Sequence, residues 1–316
     1  RQMCIRDRWY LANTFNQTFD PQISVSSGYT TIYLQTGYVR NTGLELSLGY
    51  GHTWNNNFRW DSNFTLSHNK NKIKELVRDY VHPETGELIN KDRLDVGGLG
   101  KARFILKEGG TLGDLYTQSD LKRDDNGMVD IDPTGIVAIE NNLPDIKLGS
   151  VFPKANLAWS NHFSWKGISL SALFTARIGG IVYSATEAAM DQYGVSERSA
   201  LARDNGGVLV NNRTLVDAQN YYTTIGSESG LPQYYTYNAT NVRLQEASIG
   251  YLIPRKWLGN VCDIQVSVIG RNLWMIYNKA PFDPESVATT DNYYQGIDYF
   301  MLPSTRNIGF NVKINF

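Results

Sequence analysis

The sequence predicts an all-β fold, an antiparallel barrel with one apolar and one polar face. Three observations lead there: residues alternate in character with period two along many segments, connections switch between tight and long, and the final segment alternates up to a terminal phenylalanine. Composition agrees. Among 316 residues, 19 Tyr, 7 Trp and 28 Gly suit pleated strands joined by tight turns. Thirty Lys and Arg balance 31 Asp and Glu, so charge gives no footprint for nucleic acid. No run of about 18 apolar residues is present, which excludes a membrane-spanning helix but not a barrel, whose strands keep a near-neutral hydropathy.

Along the chain, Arg1–Arg8 (RQMCIRDR) is polar and basic without clean alternation. It reads as a non-native or disordered leader, or else as a turn, and leaves 9–316 as the barrel portion. The first strand is expected at about 9–18. In 44–50, Leu44, Leu46, Leu48 and Tyr50 alternate with small or polar residues. In 58–66, Phe58, Trp60, Phe64 and Leu66 do the same. Further strands are expected at 102–107, 111–119 and 152–165. Ile168, Leu170, Ala172, Phe174 and Ala176 then oppose Ser169, Ser171, Thr175 and Arg177. Ala247, Ile249 and Tyr251 oppose Glu246, Ser248 and Gly250, and Ile264, Val266 and Val268 oppose Asp263, Gln265 and Ser267. The last strand, 306–316, brings the number to about ten.

Alternation leaves the orientation open, because a soluble sandwich and an inside-out barrel share it. Connection lengths separate the two. Asn55–Asn57, Glu108–Gly110, Lys166–Gly167 and Pro254–Asn260 are short, whereas 74–100, 120–150, 179–239 and 274–303 are long. One rim of tight turns and one of long loops is the pattern of an outer-membrane barrel. Trp54, Trp60, Trp165 and Trp257 lie beside the short turns, where an interfacial girdle would sit. At the end, Phe310, Val312, Ile314 and Phe316 alternate up to the terminal Phe, which resembles the closing strand of outer-membrane barrels and by that resemblance implies a strand read by their assembly machinery.

Catalytic and metal chemistry are not legible. His52, His68, His82 and His162 lack ligand spacing, and Cys4 and Cys262 are far apart. Gly97–Lys101 lacks the first Gly and the final Ser/Thr of a phosphate loop. In Lys122–Asp132, placing Gly127 sixth in a calcium loop puts Lys122 first, which fails, and Asn126-Gly127 reads as a turn. Neither a cofactor, a metal nor an enzyme activity is expected.

Several blocks resemble the SusC/RagA family of TonB-dependent transporters: Arg40–Leu46 (RNTGLEL), Asn63–Ile73 (NFTLSHNKNKI), Arg243–Pro254 (RLQEASIGYLIP), Gly270–Leu273 (GRNL), Phe282–Glu285 (FDPE) and Pro303–Arg306 (PSTR). The resemblance implies the last ten strands of a 22-stranded barrel in the outer membrane, surrounded by its lipid. It also implies an upstream plug and TonB-contacting segment, energy from the TonB–ExbB–ExbD complex and a SusD-like lipoprotein lid. The implied cargo is an oligosaccharide or other large nutrient, with peptide importers sharing the architecture. A passive porin or adhesin barrel is the alternative, and a soluble all-β glycan-binding or glycan-cleaving domain the more distant one.

Within that frame, Ala185–Asn205 is expected to hold a short surface helix. Tyr221, Tyr222, Tyr234, Tyr235 and Tyr237, with Tyr293 and Tyr294 in the last long loop, are candidates to touch substrate or partner, or to pack the loops together. Arg177, Arg243 and Arg271 are candidate lumen residues.

Overall fold

The computed structural model describes residues 2–19, 28, 33–54, 57–81, 86, 88–259, 261–289 and 294–315. Its largest element is an eight-stranded sheet: β1 (Gln2–Phe19), β2 (Leu34–Thr53), β3 (Arg59–Glu75), β4 (Ala155–Trp165), β5 (Ile168–Ile178), β6 (Asn241–Ile253), β7 (Asp263–Asn278) and β8 (Asn307–Asn315). Each strand pairs antiparallel with its sequence neighbour, so the sheet is an up-and-down meander, a stretch of barrel wall edged by β1 and β8.

Register places the alternation on two faces. Leu48, Phe64, Trp159, Phe174 and Leu244 lie across five successive strands on one face. On the other, Ser47, Thr65, Ala158, Thr175 and Arg243 follow the same path. The apolar face is bare: Leu170 is 46% exposed, Val268 48% and Phe310 80%. A soluble sandwich would have covered it, whereas in a membrane barrel these residues meet lipid. Two polar side chains on this face, Asn161 and Ser62, are satisfied by tryptophans of the neighbouring strands. The Trp60 indole N–H donates to Asn161 Oδ1 (3.1 Å) and that of Trp159 to Ser62 Oγ (2.9 Å), the requirement hydrocarbon imposes.

The rims are unequal. β2–β3, β4–β5 and β6–β7 are joined by short turns, and the other connections are long. At the short rim, Tyr50, His52, Trp54, Phe58, Trp60 and Phe163 form a chain of ring contacts, the Trp60 and Phe163 planes being 6° apart at 6.0 Å. Trp165 and Trp257 are exposed at that rim. This is the aromatic belt of a membrane interface.

Three details differ from the sequence reading. The expected strands 102–107 and 111–119 exist, as Ala102–Lys107 and Asp114–Thr117, but pair with Arg93–Leu99 and Ile146–Ser150 in a separate four-stranded sheet, so among the described residues the wall has eight strands. Ala102–Lys107 is almost continuously buried rather than alternating, because it lies inside a core instead of in the wall. The Glu108–Gly110 turn, read as a short-rim turn, belongs to that sheet and docks on β3, with Gly109 N–H donating to Ile73 O (2.8 Å) and Ile73 N–H to Gly110 O (2.9 Å). Finally, residues 2–8 continue β1 and pair with β2 from Gln2↔Gly51 to Arg8↔Glu45. Met3, Ile5, Trp9 and Leu11 do alternate there, and Asp7 on the same face breaks the pattern.

Candidate functional site

The long-rim connections form a folded roof. The first insertion, between β3 and β4, carries the four-stranded sheet. The second, between β5 and β6, carries α1 (Ala185–Gln192), α2 (Glu197–Asp204) and α3 (Ala218–Gly226), while the third joins β7 to β8. The helix expected at 185–205 is thus two helices. Ser184 caps the first, accepting from Glu187 N–H, and Ser196 caps the second, accepting from Ser199 N–H. One apolar core runs through the three insertions and the adjoining strand ends, with Phe104, Leu106, Leu115, Tyr183, Leu231 and Ile297 at or near zero exposure. Burying each large side chain contributes roughly 1.5–3 kcal/mol, so this core rather than the wall holds the roof's shape.

Polar contacts fasten the roof to the wall and brace it internally, and among them Asn71 and Asn41 belong to the family-like blocks. Asn71 on β3 is 8% exposed; its Oδ1 accepts from Leu112 N–H (2.9 Å) and its Nδ2 donates to Asn41 Oδ1 (3.0 Å). Arg177 Nη2 donates to Val151 O (2.7 Å), where the first insertion returns to β4. Asp145, nearly buried, takes a two-pronged bond from Arg93 (2.6 and 2.9 Å) and further contacts from Lys107 and Gln118, both at 2.9 Å. The Arg93 fork, with Lys107 and Gln118, holds the Asp145 carboxyl well below the usual carboxylate range.

The candidate tyrosines sit deeper than surface contacts would. Tyr235 is fully buried and donates to Asp191 Oδ2 (2.9 Å); Arg198 lies 4.8 Å from its ring centroid and pairs with the same carboxylate (2.7 Å). Burial, then the Asp191 charge, push its hydroxyl far above the ordinary phenol value. Tyr235 is therefore a packing residue. Tyr221 and Tyr222 meet edge to face at 5.4 Å, and burial pushes Tyr221 up to about 12. Tyr234 packs on the same core, and Tyr237 stands edge-on to Phe282 of the third insertion (5.7 Å). Tyr294, by contrast, is 40% exposed, and Tyr299 and Phe300 beside it are exposed too. Tyr293 and Phe316 lie outside the described residues.

The arginines separate in the same way. Arg271 is largely exposed on the polar face beside Glu246 (2.8 Å), and Arg177 borders an open trough of mixed lining that Thr175, Gln245, Glu45 and Glu285 share with Leu46 and Leu157. Arg243, expected to line the lumen, is instead 4% exposed beneath the third insertion, where Asp283 and Glu285 hold it. Phe310, Val312 and Ile314 are exposed on the apolar face of β8, paired with Val268, Val266 and Ile264. The Asp124–Gly127 segment is the expected turn, Asp124 Oδ1 accepting from Asn126 and Met128 N–H. Among the described residues no group of three or more His, Cys, Asp or Glu gathers as a metal site.

Comparison with known proteins agrees with this geometry. The chain is 25% identical to TonB-dependent receptor P3 of Formosa agariphila over 96% of its length, and 24% identical to TonB-dependent receptor P26 of the same organism over 98%. Over nearly its whole length the chain is similar to TonB-dependent receptors. It spans about a third of the length of those relatives (32% of each). No family model matches it. The fold of the chain superposes on the RagAB peptide importer in its 'closed-closed' state with a TM-score of 0.68 at 18% identity, covering 99% of this chain and 33% of that one. For the 'open-open' state the TM-score is 0.67 at 17% identity. The relatives carry receptor and transporter names, and the SusC/RagA likeness drawn from the motifs matches them.

Proposed function

We propose that this chain supplies wall and extracellular roof to an outer-membrane importer of an oligosaccharide or other large nutrient, powered through TonB–ExbB–ExbD and working with a SusD-like surface lipoprotein. The observation that carries the reading is the two-faced wall: a bare apolar face for lipid, a polar face lined by Ser, Thr, Asn and Arg, and a folded roof over one rim only. A closed barrel with such walls encloses a wet lumen, and the roof faces the side from which cargo arrives. Exposed Tyr294, Tyr299 and Phe300 on the third insertion are the aromatic surfaces offered there to a sugar ring, a peptide or the lid.

Oligopeptide cargo is the second reading, favoured by the fold shared with a peptide transporter. Uptake by cells expressing the full-length protein, measured with fluorescent oligosaccharides and fluorescent peptides in parallel, separates the two. Accumulation of one class above a deletion strain supports import and names the cargo. Accumulation of neither, with no surface lipoprotein co-purifying, contradicts the proposal.

A further inference from the structure

A buried guanidinium loses its hydration and persists only where charged partners replace it. Arg243 has such a set. Its Nη2 and Nη1 donate to the two carboxylate oxygens of Asp283 (2.8 and 3.2 Å), Nη2 also meets Glu285 Oε2 (3.1 Å), and Nε donates to Asn241 Oδ1 (3.3 Å). Asn241 in turn donates to Glu285 Oε1 (3.4 Å). Both carboxylates come from the start of the third insertion, whereas Arg243 and Asn241 come from the wall strand β6.

Beyond Glu285, the third insertion is bound to the second. Ile297–Asp298 pairs parallel with Tyr183–Ser184, Tyr183 N–H donates to Gly296 O (2.8 Å) and Phe300 N–H to Thr186 Oγ1 (2.7 Å). The buried Ser184 hydroxyl donates to Asp298 Oδ2 (2.5 Å). The second insertion is joined to the first by a reciprocal pair, Val129 N–H to Asn211 Oδ1 (2.8 Å) and Asn211 Nδ2 to Val129 O (2.9 Å). The contacts thus run from the wall through Arg243 to the third insertion, and from there across the roof.

We propose that Arg243 is a positioning residue that pins the third insertion, and through it the second, to the barrel wall, so that this part of the roof stays seated while cargo passes. The last clause rests on the import reading; the pinning does not.

Hydrogen exchange of the full-length protein in detergent tests the pin. Wild type protects the amides of 286–288 and 297–300. Arg243→Gln speeds their exchange by roughly tenfold or more, Arg243→Lys restores part of the protection, and wall strand β5 is unchanged. Should Arg243→Gln prevent folding, Asp283→Asn reads the same bond from the other side. Unchanged exchange at 286–288 and 297–300 in the folded variant overturns the proposal. The seated roof is tested by an Asn241→Cys/Glu285→Cys disulfide, which ties the third insertion to wall strand β6 where these two side chains meet (3.4 Å), in a background lacking Cys4 and Cys262. Uptake of fluorescent oligopeptides or oligosaccharides, whichever wild type accumulates, stays at the wild-type level when the roof remains seated. Loss on oxidation and recovery on reduction overturns it. If wild type accumulates neither, the import reading fails while the exchange result still decides the pin.

Discussion

An arginine placed at Ala172 tests whether the apolar face meets hydrocarbon. Ala172 lies on that face between Asn161 and Ala247, four residues along β5 from Ile168 at the short rim. At about 3.3 Å per residue and a tilt of roughly 40°, that is on the order of 10 Å into an apolar band about 25 Å tall, close to its middle. Arg at such a depth costs about 2–4 kcal/mol. The control is its neighbour Ser171, which faces the polar side. Ser171→Arg loses the hydroxyl contact with Ser248 (2.6 Å), worth about 1 kcal/mol, and puts the cation in water. The assay is denaturant unfolding of the full-length protein in lipid vesicles, followed by tryptophan fluorescence and heat-modifiable gel mobility. Ala172→Arg is expected to be the more destabilising by roughly 1–3 kcal/mol, the difference between those two costs. Equal costs, or a larger one for Ser171→Arg, would refute the assignment of faces.

The other expectations concern the roof. Asn71→Ala leaves Leu112 N–H without its acceptor and should cost about 1–3 kcal/mol, visible as faster proteolysis of the first insertion with the wall strands still protected. Leu106→Ala removes a fully buried side chain from the core and should lower roof stability by about 2–5 kcal/mol, read from roof exchange rates. Asp145 is held low by Arg93, Lys107 and Gln118. Around Asp283, burial pushes upward, but Arg243, Ser304 and backbone bonds outweigh it, so this carboxyl is low as well. Their contribution is therefore full above the ordinary value of 3.8 and lost as pH falls below it. Tyr221 and Tyr235 are raised by burial, so their contribution is full below the phenol value of 10.0 and is lost as pH rises beyond it. Roof unfolding against pH should show both arms, and Asp145→Asn should flatten the acid one.

The wall was legible because period two survives wherever one face meets lipid and the other water. Ile168–Ala176 and Ile264–Val268 show it without interruption, and both lie where expected. The roof was not legible as a core. Ala102–Lys107 is buried on both sides, so its apolar run carries no face information, and its partners lie in other parts of the insertion. Contacts such as Val129 with Asn211 join segments 82 residues apart that no local pattern connects. Arg243 was misread because a cation on the polar face of a barrel strand ordinarily lines the lumen. The signal that places it lay in the Phe282–Glu285 block, whose two carboxylates needed a partner. Residues 2–8 escaped notice because Asp7 breaks the alternation of Met3, Ile5 and Trp9.

The most direct test of energised import is uptake of the preferred fluorescent cargo by cells carrying the full-length protein, with and without TonB. Coupling through TonB predicts accumulation against the gradient that disappears when TonB is deleted or the proton gradient is collapsed. Uptake that persists unchanged without TonB, and only equilibrates, would make the barrel a passive pore and contradict the reading.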